Sequence, residues 1–303
     1  MDAAPIKSFV IFISLVVLTA SCLSASASQF LIVQSLHVKP YDEAAKGIMA
    51  TVPAGADVYF TTDTQKTDLI REIREKRPDA IIVIGADALA KLSRIKDVPI
   101  IYCMVLAPEK AISDSTNITG INIVVSPDRQ LASFQKIMPQ AKKVGVVFDR
   151  RKNQNFVKKA TAVSTGLGID LVVKDIDNSR DVPTSLNELR GKIQALWLIP
   201  DTTVINKATL DFILLFSLEN RVPIFTFSSH HIEMGAFMSI DLDPFQAGRQ
   251  AGELAKSIAG GKKIGESPPA DAKNGIVTVN LKIARKLGVE IDEGTLSNAK
   301  LIR

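Results

Sequence analysis

Short runs of β-favouring, mostly apolar residues recur along this chain, and the segments between them carry helical periodicity. The runs are FLIVQSL, VYFT, AIIVIG, PIIYCMV, VGVVFD, IDLVV, ALWLIP, PIFTFS, FMSID and IVTVN. Several are apolar without alternation, which suits strands covered on both faces, as in parallel sheets. The intervening TQKTDLIREIREKRP places Leu69, Ile70 and Ile73 at helical spacing. Strand and helix alternating in this way predict an α/β fold built on parallel sheets.

The alternation repeats as a larger unit. PDAIIVIGADALAKLSRIKDVPIIYCMV (78–105) and IQALWLIPDTTVINKATLDFILLFSLENRVPIFTFS (193–228) each read as strand, polar tip, helix, VPI and strand. Val98-Pro99-Ile100 and Val222-Pro223-Ile224 take equivalent places, and a proline where a strand begins removes no ladder hydrogen bond. Two doubly wound parallel-sheet lobes of similar topology, joined by a multi-strand hinge, are expected. NITGINIVVSPDRQLASF reads as a first crossover, with Ser126-Pro127-Asp128 as a helix start. SIDLDPFQAGRQAGELAKSIAGG reads as a second crossover and a long helix stopped by Gly260-Gly261. IGESPPADAKNG reads as a loop and IVTVNLKIARKLG as a last strand and helix, so the C-terminal segments return to both lobes. The expected division is a signal peptide at 1–27, one lobe from 28–122 and 243–268, and the other from 123–242 and 269–303.

The N-terminal segment falls outside this pattern. A lone lysine precedes an uncharged apolar run from Phe9 to Ala20, shorter than the roughly 20 residues of a membrane-spanning helix, and small residues follow. An export signal and a periplasmic location are expected. Ala25–Ala27 suits ordinary signal peptidase; LTASC, ending at Cys22, is the alternative, a lipid-modified N-terminus at that cysteine. Either route leaves Cys103 without an intramolecular partner, because the chain has only two cysteines, so no disulfide framework is expected. The net charge of +5 over 303 residues is spread among acids, which argues against a nucleic-acid footprint.

In open α/β sheets ligands bind beyond the carboxyl ends of the strands, so polar residues there are the candidate site. Pro200, Asp201, Thr202 and Thr203 end one strand, and Gly85-Ala86-Asp87 is the matching tip in the first lobe. Such tips facing each other would hold a small zwitterion, a helix N-terminus taking its carboxylate and an acid its ammonium group. The competing reading is that Asp201 and Thr202 merely cap the next helix. His37 and Tyr41 follow the first strand, Leu106 the fourth, and Phe227, Ser228 and Ser229 a second-lobe strand. Asp241 and Asp243 approach the second crossover. An aromatic ring beside an acid suits an amino acid or flat cation, although helix faces and solvated hinges carry such residues too.

Catalytic and metal signals are thin. His230 and His231, adjacent on a segment taken as extended, would point to opposite faces and chelate poorly. No G-x-S-x-G elbow or Walker A loop is present, and GLGIDL lacks the third glycine of a dinucleotide fingerprint, reading as a helix stop. No enzyme activity, metal or cofactor is expected.

The ordered set PDAIIVIGADALAKL, VPIIYCMV, NITGINI, KKVGVVFD, LGIDLVV, ALWLIPDTTV, VPIFTFS, DPFQAGRQAGELA and VTVNLKIARKLGVEI resembles the ABC transporter substrate-binding protein family. Within it, the chain is similar to the tryptophan- and tyrosine-type branch on the type I periplasmic-binding fold. The resemblance implies two lobes closing on a small ligand without chemistry and delivery to an ABC permease; a monomer is expected. It carries the cleft onto Gly85-Ala86, Asp201-Thr202-Thr203, Phe227-Ser228-Ser229 and Asp243. The chain departs from the family pattern at Ala86, Ser228 and Ser229. The alternative is a ligand-sensing binding protein of the same fold feeding a membrane sensor.

Overall fold

A computed structural model describes residues 29–52, 56–62, 69–106, 108, 112 and 115–303. The expected signal peptide with Cys22, and the part of the TQKTDLIREIREKRP helix before Leu69, lie outside the described residues.

The first sheet contains β1 (Phe30–Gln34), β2 (Asp57–Phe60), β3 (Ala80–Ile84), β4 (Ile100–Cys103), β5 (Ile118–Val125) and β11 (Ala270–Ala272). Their order is β11-β5-β4-β3-β1-β2, and every pair is parallel. The second contains β6 (Lys143–Asp149), β7 (Asp170–Ile176), β8 (Ala195–Leu198), β9 (Ile224–Thr226), β10 (Met238–Leu242), β12 (Gly275–Asn280) and β13 (Lys300–Ile302). Its order is β13-β12-β10-β9-β8-β6-β7. The repeat expected from sequence is therefore real: β2-β1-β3-β4-β5 and β7-β6-β8-β9-β10 are the same doubly wound order.

The unalternating strands are apolar because both faces are covered. Phe30, Ile32, Ile82, Ile84 and Ile101 enter one core of the first lobe; Leu31, Val33, Ile81, Val83 and Ile100 enter the other. The second lobe divides likewise, Val144, Val146 and Trp197 to one side, Val147, Leu196 and Leu198 to the other. Period-two alternation thus separates two buried faces. The VPI prolines behave alike: the carbonyl of Pro99 accepts from Ile81 N, and that of Pro223 accepts from Leu196 N, each at 2.9 Å.

Helices α1 (Lys39–Met49), α2 (Leu69–Lys76), α3 (Ala86–Leu92) and α9 (Pro244–Ala259) cover the first sheet. The second carries α4 (Pro127–Ile137), α5 (Arg150–Ser164), α6 (Val182–Leu189), α7 (Leu210–Asn220), α8 (Ser229–Met234) and α10 (Leu281–Leu287). Helix α9 returns to the first lobe and lies so close to α1 that a Cβ on Gly248 would stand 2.0 Å from Ala44 O, and one on Gly47 2.0 Å from Phe245 O.

The chain passes between sheets after β5, after β10 and after β11. The crossings are tied together, since Ser126 N donates to Ala272 O, and Gln250 grips Asp271 O and Lys273 N at 3.1 and 3.0 Å. Gly275, where the third crossing ends, lies against the strands that lead into the other two: a Cβ there would meet Ile240 Cγ2 at 2.6 Å, Asp241 O at 2.8 Å and Val125 Cγ2 at 3.0 Å.

Several local expectations are corrected. NITGINIVV is more than a crossover, because β5 completes the first sheet before the chain leaves it. The loop IGESPPADAKNG contains β11, whose three residues pair with β5 and lie beyond the expected boundary at 268. The second sheet is mixed: β12 runs antiparallel to β10, the chain between them having passed through α9 and β11 of the first lobe, and β13 follows β12 in parallel. The helix after Pro200 starts only at Leu210, because Asn206 and Thr209 hold residues 204–209 in turns through Thr209 Oγ1–Val204 O (2.6 Å) and Ala208 N–Asn206 Oδ1 (2.9 Å). His230 and His231 belong to α8, so they sit on a helix rather than an extended segment.

Candidate functional site

In the first sheet the strand order reverses between β1 and β3, and in the second between β6 and β8. The carboxyl ends at such switch points leave a crevice that neighbouring connections cannot fill, because they depart to opposite faces. Both are lined with polar groups.

At the first switch point Ser35, 2% exposed, follows β1 and its Oγ accepts from Ala88 N at 2.9 Å. Gly85 turns from β3 into α3 at φ +92, and a Cβ there would stand 2.6 Å from Ser35 Oγ and 2.7 Å from Tyr41 Cε2. Glycine is required on both counts. Ala86 and Asp87 are exposed in the first turn of α3. Burial, then the Asp87 charge, then Cys103, raise the Tyr41 phenol above its ordinary range. Cys103 itself is buried, and its thiol is pushed up to about 12 by that burial. His37 stacks on Phe60 with ring centroids 3.6 Å apart. Met104, at φ +56, turns the chain off β4 toward Leu106, which is 76% exposed. The rim of this lobe is therefore apolar and aromatic around a small polar floor.

At the second switch point Asp201 follows β8 and is 4% exposed. Its Oδ2 accepts from Asp149 N (2.7 Å) and Asn153 Nδ2 (2.8 Å), and its Oδ1 from Thr203 N (2.9 Å) and Val204 N (3.4 Å). The acid is thus engaged inside the fold, closing the turn after β8 and fastening it to the end of β6. Asp149 is buried too and N-caps α5 by accepting from Arg151 N. The Arg151 guanidinium beside it, helped by the Thr203 hydroxyl and against the cost of burial, holds its carboxyl far below the usual range. Thr202 is exposed and accepts from Lys152 Nζ at 2.7 Å.

The next strand ends bring the remaining candidates. Phe227 is half-buried and meets His231 edge-on, centroids 5.2 Å apart. Ser228 caps α8, and Ser229 N and Oγ both donate to Asp241 Oδ1, at 2.7 and 2.8 Å. Ser239 Oγ takes Oδ2 of Asp241 at 2.7 Å, so that acid also holds structure together. Asp243 caps α9 through Oδ1 and Gln246 N (3.1 Å), and its other oxygen has no partner among the described residues.

Thr202 and Thr203 share the β8 turn with Asp201; His37, Tyr41, Gly85, Ala86, Asp87 and Leu106 follow the ends of neighbouring strands in the first lobe. Phe227, Ser228, Ser229 and Asp241 gather at the ends of β9 and β10. Sequence reasoning missed Ser35, Asp149, Arg151, Lys152 and Asn153. The last residue of VGVVFD and the basic run after it were visible, but only the strand order puts them beside Asp201. No group of histidines, cysteines and acids suited to a metal ion occurs among the described residues.

Two doubly wound lobes with three crossings, each with a polar switch point, define the type I periplasmic-binding architecture. The chain belongs to the ABC transporter substrate-binding protein family: the profile described as "ABC transporter substrate binding protein" matches residues 60–302. A curated relative, the "Tyrosine-binding protein" of Clostridioides difficile (strain R20291), is 24% identical over 223 residues, 71% of this chain and 64% of the relative's length. Among solved structures, a substrate-binding protein with adhesive properties from Clostridium difficile, in its ligand-free, open form, shares 22% identity at a TM-score of 0.64. That match covers 91% of this chain and 99% of that one. The ABC domain in complex with L-Trp from Streptococcus pneumonia shares 19% at 0.52, covering 91% and 100%. At these identities the solved structures establish the fold. No helix among the described residues is long and apolar enough to cross a membrane.

Proposed function

We propose that this chain is an extracytoplasmic, monomeric solute-binding protein of an ABC importer, binding an amino acid or similar zwitterion between its lobes without chemistry. The observation that carries this reading is the pairing of two switch points. One has an apolar and aromatic rim (Tyr41, His37 on Phe60, Leu106), the other a rim of hydroxyls and charge (Thr202, Thr203, Ser228). A ligand bridging both would satisfy all its contacts only when the lobes approach, so binding shifts the population toward closure. Asp201 and Asp241 then act as braces that fix the walls, and Asp87 and Asp243 are the acids left to meet an ammonium group. The relatives whose names carry tyrosine and tryptophan support an aromatic amino acid as the first candidate.

Thermal unfolding of the purified protein against a panel of amino acids, peptides, nucleosides and sugars tests the proposal. A ligand at 100 times its dissociation constant should stabilise the native state by about 2.7 kcal/mol. A panel in which no amino acid raises the melting temperature removes the zwitterion, and turnover of any compound removes the binding role.

A further inference from the structure

The basic run Arg150-Arg151-Lys152 opens α5 at the second switch point, and its three charges have different fates. Arg150 is paired with Asp175 at 2.7 Å, beside the strand end of β7. Arg151 is paired with Asp149 at 2.8 Å and also donates to Asp177 O. Lys152 has no carboxylate partner among the described residues; its Nζ donates only to Thr202 Oγ1, at 2.7 Å, and both residues are exposed.

The acids nearby are either buried or set against the two arginines. Asp201 and Asp149 are 4% and 0% exposed, and their oxygens take the N–H, hydroxyl and guanidinium donors described above. Asp201 and Asp149 are turned inward, the exposed Asp175 and Asp177 lie by Arg150 and Arg151, and the Lys152 ammonium is left exposed beside Thr202. The backbone carrying Lys152 is fixed from both sides: Arg151 is held by Asp149, and Asn153 Nδ2 reaches Pro200 O (3.2 Å) and Asp201 Oδ2 (2.8 Å). Donors held in place before the ligand arrives lose less entropy on binding it.

We propose that Lys152 and Thr202 together receive the carboxylate of the ligand, making this lobe the acid-recognising wall of the site. The hydrogen-bond roles fit. Thr202 Oγ1 accepts from the lysine, so its own proton is left to donate, and the ammonium keeps two further N–H groups. Three donors then converge on one spot, where a carboxylate has lone pairs for all of them. The lobe-two acid considered from sequence, Asp201, is a brace in this arrangement, and the ligand's ammonium group is directed to the other acids.

This inference rests on the solute-binding reading above, and the experiment separates the two. Thermal shift with the full chain first identifies which of the standard amino acids bind. Calorimetry then compares the best of them with its decarboxylated amine and with the matching acid that lacks the amino group. For wild type, both carboxylates should bind and the amine should not. Lys152→Met should weaken the amino acid by about 10- to 100-fold, since a charge-assisted hydrogen bond is lost. Thr202→Val should weaken it less, and neither change should move the urea midpoint of the ligand-free protein. Binding of the amine as tight as that of the amino acid, or unchanged affinity in Lys152→Met, overturns this inference and leaves the binding role standing. If no amino acid binds wild type, the zwitterion reading and this inference fall together.

Discussion

The backbone N–H of Asp149 donates to the carboxylate of Asp201 at 2.7 Å, joining the ends of two neighbouring parallel strands 52 residues apart in sequence. With Asn153 on the same oxygen and Thr203 and Val204 on the other, one buried side chain sets the geometry of the whole second switch point.

Replacing Asp201 therefore tests structure before binding. Asp201→Ala strands buried N–H donors and should cost about 2–4 kcal/mol of unfolding free energy. Asp201→Asn, which keeps one acceptor, should cost less. Urea denaturation reads both as a fall in midpoint at constant slope. An unchanged midpoint for the alanine variant would show that the brace does not carry load.

The crossing of α1 and α9 depends on the absence of side chains. A Cβ on Gly248 would stand 2.0 Å from Ala44 O and 2.7 Å from Ala44 C, both backbone atoms that cannot rotate away. Gly248→Val should cost about 3 kcal/mol through separation of the helices. Gly265, whose Cβ would meet nothing within 4 Å, is the control: Gly265→Ala should change stability by less than about 0.5 kcal/mol.

His231 gives a signed pH dependence. It is 7% exposed, with Nδ1 2.8 Å from Thr226 Oγ1. Burial first, then His230, hold its pKa below 6.5, against the opposing pull of Asp241. As pH falls, the unfolded chain takes up this proton first, so stability is complete above the unfolded-state value and declines as pH drops through it. The decline levels off below the folded-state value. Urea midpoints measured for wild type between roughly pH 7.5 and 5 should fall, and those of His231→Gln should fall less. Parallel curves would refute the assignment.

Lys159 on α5 and Asp271 on β11 stand 3.4 Å apart, the only side-chain ion pair between the two lobes among the described residues. The lysine is exposed, so Lys159→Ala should cost less than about 1 kcal/mol, and the loss should vanish in high salt. Asp271→Ala should cost more, because its other oxygen accepts from Asn122 Nδ2 at 2.9 Å, and Asn122 in turn accepts from the Tyr102 hydroxyl at 3.0 Å. Tyr102 reaches it by lying over Gly120, where a Cβ would stand 2.4 Å from the ring. Equal losses for the two variants would mean that the chain of bonds contributes nothing beyond the ion pair.

What the sequence determined by itself is local and periodic. Apolar runs such as AIIVIG and ALWLIP had to be strands covered on both faces, and Pro99 and Pro223 marked equivalent starts, because these follow from side-chain spacing and a missing N–H. Ser126-Pro127 and Gly260 likewise bound their helices where expected. Only the tertiary structure decided what lies side by side. The strand Ala270–Ala272 has no β-favouring side chain and exists because β5 offers it an edge. Asp201 looked like a free acid because its partners, Asp149 and Asn153, arrive from a different βα unit. The pairing of β6 with β7 brought Asp175 to Arg150, Arg151 took the neighbouring Asp149, and Lys152 was left with the Thr202 hydroxyl. Hydrogen-bond satisfaction is a property of neighbours in space, and a chain's own periodicity does not encode it.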